Sequence, residues 1–213
     1  MTRLVLLTLS SMLLATSAYA IDGQMLINQS TVMAAGGFPY KIMQPGSYKL
    51  TGNLTMTTTP GGNISGIDVA IGIISNQVTL DLNGFTIFIV NNLAFLGHDY
   101  YAIAELGTFT GVTVKNGIIA GASANLLTSP SLFGIYLHSS TLVRIEGVTL
   151  TFDSNTRGNA TGFDVGQGPL IRGVSTNAPF SYLACPSVVV ETVGTLVPGP
   201  GSSCQTSLNA TSF

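Results

Sequence analysis

Val78-Thr79-Leu80-Asp81-Leu82-Asn83-Gly84 is followed downstream by Val112-Thr113-Val114-Lys115-Asn116-Gly117, Val143-Arg144-Ile145-Glu146-Gly147 and Leu170-Ile171-Arg172-Gly173. Each segment alternates apolar and polar residues and stops at glycine. That is the pattern of a strand with one buried face and a turn after it. A second segment precedes each: Gly66-Ile67-Asp68-Val69, Ala102-Ile103-Ala104-Glu105, Gly134-Ile135-Tyr136-Leu137 and Gly162-Phe163-Asp164-Val165. The anchors Ile67, Ile103, Ile135 and Phe163 recur 36, 32 and 28 residues apart. A drifting period built from strands alone predicts a solenoid whose coils carry loops of varying length. Gly46-Ser47-Tyr48-Lys49-Leu50-Thr51-Gly52-Asn53-Leu54-Thr55 reads as a weaker opening coil. Asn83-Gly84 and Asn116-Gly117 would also suit the hairpins of an antiparallel sandwich, the rival fold. Both pairs fall at matching points of the repeat, which favours corners between parallel strands.

The run from Gln44 to Ile87 resembles the opening of right-handed parallel β-helix proteins of the pectin-lyase-like superfamily. So does Gly111-Val112-Thr113-Val114-Lys115-Asn116-Gly117-Ile118-Ile119, and the resemblance covers roughly residues 40–177. It implies an all-β fold, a right-handed parallel β-helix of about four to five coils. Residues 21–45 would cap or lead into a helix over 46–177, because an exposed end needs covering. The resemblance is a poor guide to activity, since the superfamily holds lyases, hydrolases, epimerases and adhesins.

The first residues, Met1-Thr2-Arg3, precede an apolar stretch from Leu4 to Ala15 and then Ala18-Tyr19-Ala20. A positive start, an apolar middle and an Ala-x-Ala end predict a signal peptide over residues 1–20, and a secreted or periplasmic protein. The apolar part is short for a membrane span, and none is expected after cleavage. In an exported chain the two cysteines, Cys185 and Cys204, are expected to form a disulfide. It would staple a tail over 178–213 that contains Pro198-Gly199-Pro200-Gly201.

Only 8% of the 213 residues are charged and the net charge is −2. There is no Lys/Arg run to meet a phosphate backbone, so no nucleic-acid partner is expected. Aligning the later segments puts Asp81, Lys115, Glu146 and Arg172 in one outward column of alternating sign. A parallel ladder tolerates that alternation. The column reads as a salt-bridge ladder or as a carbohydrate-binding stripe. Aligning the earlier segments puts Asp68, Ala104, Tyr136 and Asp164 in another column. His138 faces the same way, so Tyr136, His138 and Asp164 form a candidate site. A histidine beside a carboxylate can act as a general base, and tyrosine can stack on a sugar ring. The loop segment His98-Asp99-Tyr100 is a further binding candidate.

The acids argue against catalysis. Lyases of the superfamily cluster carboxylates around Ca²⁺, and its hydrolases place two or three Asp on neighbouring strands. Glycoside hydrolysis itself needs a pair of carboxylates. Here Asp68, Asp81, Glu146, Asp153 and Asp164 stand singly in the sequence. No cofactor or metal is expected. The leading expectation is non-catalytic polysaccharide binding or surface contact. The alternatives are a carbohydrate-active enzyme and a structural part of a surface assembly.

Overall fold

The computed structural model describes residues 23–57, 67–91, 99–123, 131–153, 160–178, 180–183, 188–193, 197–198 and 207–208. Residues 1–20, His98, Cys185 and Cys204 lie outside the described residues. The described chain opens with β1 (Gln24–Ile27), α1 (Gln29–Ala34), β2 (Tyr40–Ile42), β3 (Gly46–Leu50), β4 (Leu54–Thr57) and β5 (Ile67–Ile73). It continues with β6 (Val78–Asp81), β7 (Thr86–Asn91), β8 (Asp99–Glu105), β9 (Thr113–Ser123), β10 (Ser131–Leu137) and β11 (Arg144–Phe152). The later strands are β12 (Ala160–Val165), β13 (Leu170–Arg172), β14 (Ser175–Thr176), β15 (Phe180–Leu183), β16 (Val188–Val190), β17 (Val197–Pro198) and β18 (Ser207–Leu208). Among the described residues no helix is long and apolar enough to cross a membrane.

Two sheets result. The first contains eleven strands along the path β1-β3-β6-β9-β11-β13-β16-β18, with β4, β7 and β14 paired beside it. The second has seven strands in the order β17-β15-β12-β10-β8-β5-β2. Every described pairing between these strands is parallel. The antiparallel hairpins of a sandwich are therefore absent among the described residues. From β2 onward the chain alternates between the sheets and adds to each on every pass. The second sheet holds more strands than four to five coils would supply. The extra ones come from the ends: β2 from the lead-in, and β15 and β17 from the tail. These have two to four residues, too few to display an alternating pattern in sequence.

The core is a set of register columns. Leu54, Ile87, Ile119 and Leu150 are successive partners in the first sheet. Ile71, Ile103, Ile135 and Phe163 are successive partners in the second. All eight are fully buried, and each such side chain contributes about 1.5–3 kcal/mol relative to exposure. Val32 of α1 joins the same core, so the helix covers its N-terminal end. Asn28 caps that helix: its side chain accepts from the Thr31 N–H at 3.0 Å, and Thr31 Oγ1 accepts from the Asn28 N–H at 2.8 Å.

The corners also stack. Asn83, Asn116, Gly147 and Gly173 have φ of 52°, 58°, 59° and 59°, the left-handed region that Asn and Gly enter most readily. The Gly84 N–H donates to the Asn116 carbonyl at 2.7 Å. The Asn-Gly pairs are thus corners between parallel strands, as the repeat implies. A second left-handed column, Gln77, Gly111, Leu142 and Gly168, stands before the strands that begin each return to the first sheet.

One anchor is displaced from its expected place. Ile67 pairs with Asp99 and Asp68 with Tyr100, whereas Ile71 is the partner of Ile103. The strands break alternation together here: the pairing skips Ala70, Ala102, Gly134 and Gly162. Ala70 and Ile71, like Ala102 and Ile103, both join the core although adjacent in sequence. A strict period of two started at Ile67 therefore leads to the wrong partner. The skipped residues are small because they are crowded. A Cβ on Gly134 would stand 2.4 Å from the Gly162 carbonyl oxygen and 2.3 Å from Leu150 Cδ2.

Gly134→Ala is expected to lower the unfolding free energy by about 2–3 kcal/mol; an unchanged urea midpoint would refute the crowding argument. Leu142→Asn has the opposite expectation. Leu142 is 64% exposed and holds φ 54°, so asparagine there should add about 1 kcal/mol. A lower midpoint in the same titration would contradict that.

Candidate functional site

The outer face of the second sheet carries a cluster separate from the core. Val69, Tyr101 and Ala104 are buried in it, with Phe133 and Tyr136 packed against them. Strand register builds this cluster. Val69, Tyr101 and Phe133 are successive partners, and so are Ala104, Tyr136 and Asp164. Tyr101 and Phe133 stack with centroids 4.7 Å apart at 12°, close to the spacing of neighbouring strands. Tyr136 meets both edge-on, at 5.2 Å and 5.7 Å. Such pairs add roughly 0.5–1.5 kcal/mol beyond the area they bury.

The candidate triad converges at the edge of this cluster. Tyr136 and Asp164 are register partners. His138 lies two residues beyond Tyr136, and its ring stacks on that of Tyr136 at 5.9 Å and 12°. His138 Nδ1 is 2.9 Å from Asp164 Oδ1. With Nδ1–H donating to the carboxylate, Nε2 is left as an acceptor. The His138 side chain is 59% exposed, so an outside ligand can reach it. Asp68 is not part of this column; Gly72 takes the place expected for it, because Ile71 is the true anchor.

The loop candidate divides. His98 lies outside the described residues. Asp99 borders the cluster and accepts from the Tyr101 hydroxyl at 3.4 Å. Tyr100 is fully buried in the core and cannot touch an outside ligand. The charged column lies on the other sheet. Lys49, Asp81, Lys115, Glu146 and Arg172 are successive register partners with alternating sign. Lys115 Nζ is 3.6 Å from Asp81 Oδ2, and exposed pairs of this kind contribute about 0–1 kcal/mol. This column and the aromatic cluster do not form one site.

Three contributors escape the sequence reading. Tyr101 and Phe133 face outward because alternation breaks between them and the Ile anchors. Glu105 is buried and accepts from the Ser139 N–H and the Ser140 hydroxyl. Among the described residues no three His, Cys, Asp or Glu side chains converge as metal ligands. No protein-family model matches the chain, and no curated protein or solved structure matches it.

Burial holds the Tyr101 phenol well above its ordinary value, with the Asp99 charge adding to the shift. Burial raises Tyr136 too, reinforced by the charges of Asp164, Glu105 and Asp99. Tyr40 and Tyr48 are raised in the same direction by burial. An unfolded tyrosine releases its proton near the ordinary value of 10.0, whereas these four keep theirs in the folded chain. Their contribution to stability is complete below pH 10 and falls as pH rises beyond it. The urea midpoint should therefore drop between pH 8 and about pH 11, and Tyr101→Phe should lessen the drop. Equal slopes in wild type and variant would contradict the assignment to Tyr101.

Proposed function

We propose that this is an exported right-handed parallel β-helix protein akin to the pectin-lyase-like superfamily. In this reading it binds a neutral or amino-sugar polysaccharide on the outer face of its second sheet, without cleaving it. The observation that carries the reading is the Tyr136–His138 stack beside Asp164, set at the edge of an outward aromatic cluster. Sugar rings offer an apolar C–H face to aromatic rings and hydroxyls to imidazole and carboxylate. A few polar groups around an aromatic surface is the composition of a small-molecule or polymer subsite.

Charge narrows the polymer. Asp99 and Asp164 act on both cluster tyrosines, and Glu105 acts on Tyr136. Lys41 stands in the Tyr136 column, but Gly72 and Ala104 separate it from Tyr136. A polyuronate would meet like charge here. A neutral or cationic chain would not. The all-parallel strand pairing and the alternation between two sheets support the β-helix reading, and a disulfide between Cys185 and Cys204 would accompany export. A second reading, a carbohydrate-active enzyme, draws on the 2.9 Å His138–Asp164 contact, which suits a general base.

Affinity electrophoresis separates these readings. A neutral β-glucan and chitosan should retard the protein, polygalacturonate should not, and no reducing ends or unsaturated products should appear. Tyr136→Ala and His138→Ala should each weaken retardation by about tenfold. His138→Ala should leave the melting curve unchanged, whereas Tyr136→Ala should lower it by the ring contacts it loses. Retardation that survives both substitutions would overturn the site. Product release that His138→Ala abolishes would replace binding with the enzyme reading.

A further inference from the structure

We propose that Glu105 is a positioning residue that fixes the direction in which His138 is presented to a ligand. The proposal rests on the reading of this face as a binding site. Glu105 breaks the pattern of its own column. Ile42, Ile73 and Glu105 are successive partners. The next two passes place Leu137 and Val165, themselves partners, at the following positions of that column. Ile42, Ile73 and Leu137 are fully buried, and Glu105 is only 8% exposed. A carboxylate among aliphatic neighbours is costly unless its oxygens are well supplied with donors.

The donors come from one place. The Ser139 N–H and the Ser140 hydroxyl both donate to Glu105, and Ser140 is fully buried. Both follow His138 in the turn that spans Leu137 to Ser140 and includes His138 itself, closed by the Ser140 N–H donating to the Leu137 carbonyl at 3.2 Å. The following pass closes on the same turn: a Cβ on Gly166 would stand 2.1 Å from the Ser140 carbonyl oxygen and 2.6 Å from that of His138. The His138 backbone is thus held between Glu105 on one side and Gly166 on the other. The imidazole itself is mostly exposed, and its described contacts are Asp164 and the Tyr136 ring. A side chain so weakly enclosed takes its direction from its backbone, and a hydrogen-bonded turn sets that backbone.

The test uses the full chain and reads exchange with water of the His138 Nδ1–H by imidazole NMR, with His98→Gln separating the signals of the two histidines. Glu105→Gln keeps the shape and an oxygen for the Ser139 N–H. Glu105→Ala removes both contacts. Exchange should be about tenfold faster in Glu105→Ala and within about twofold of wild type in Glu105→Gln. Neutral β-glucan affinity should fall and recover in parallel. Native circular dichroism with unchanged exchange in Glu105→Ala would overturn the proposal. If Glu105→Ala does not fold, Ser140→Ala, which removes one donor, is read the same way, and unchanged exchange there overturns it. Faster exchange with undiminished glucan affinity would also overturn it. If wild type binds no glucan, the binding reading fails, while the exchange rates still decide whether Glu105 holds His138.

Discussion

Parallel, in-register stacking is the constraint on which the rest of the structure depends. Each pass satisfies its backbone N–H and C=O groups on the pass before and the pass after. A given position therefore sits about 4.8 Å from its counterpart on either side, and whatever one pass places there the next must accept. Aliphatic columns profit directly, as Ile71, Ile103, Ile135 and Phe163 do. Charged columns must alternate in sign, as Lys49, Asp81, Lys115, Glu146 and Arg172 do. Where two consecutive residues turn inward, the first must be small, and Ala70, Ala102, Gly134 and Gly162 meet that condition.

The same constraint creates the candidate site. Tyr101 and Phe133 lie 32 residues apart yet stack face to face, because register makes them partners. Tyr136 and Asp164 meet for that reason as well, and His138 follows Tyr136 onto the outer face. Among the described residues, the acid set into an aliphatic column, Glu105, is tolerated because the turn that contains His138 supplies two donors. A departure from the column rule and the most exposed ring of the cluster are thus joined through three consecutive residues.

Much of this is legible in the amino-acid sequence. The segments ending in Asn83-Gly84, Asn116-Gly117, Gly147 and Gly173 share a phase, because a left-handed corner punctuates each one. That shared punctuation is why the charged column aligns residue for residue. The convergence of Tyr136, His138 and Asp164 was legible too, since Ile135 and Phe163 are true partners. Glu105 carried a signal in the position it shares with Leu137 and Val165 in the aligned segments; an acid in an apolar place is itself an observation.

Sequence alone determined the parallel repeat, its corners and the residue types of its columns, because alternation and left-handed turns are local properties. It misplaced Ile67 because Ile67-Asp68-Val69-Ala70-Ile71 offers two apolar anchors four residues apart, and local pattern cannot choose between them. Only the tertiary structure made that choice. The small residue before Ile71 fits a crowded column shared with Gly134 and Gly162, and crowding is a property of neighbouring passes. That shift put Gly72 in place of Asp68, turned Tyr100 inward and Tyr101 outward, and brought Tyr101 and Phe133 together on the face that holds His138.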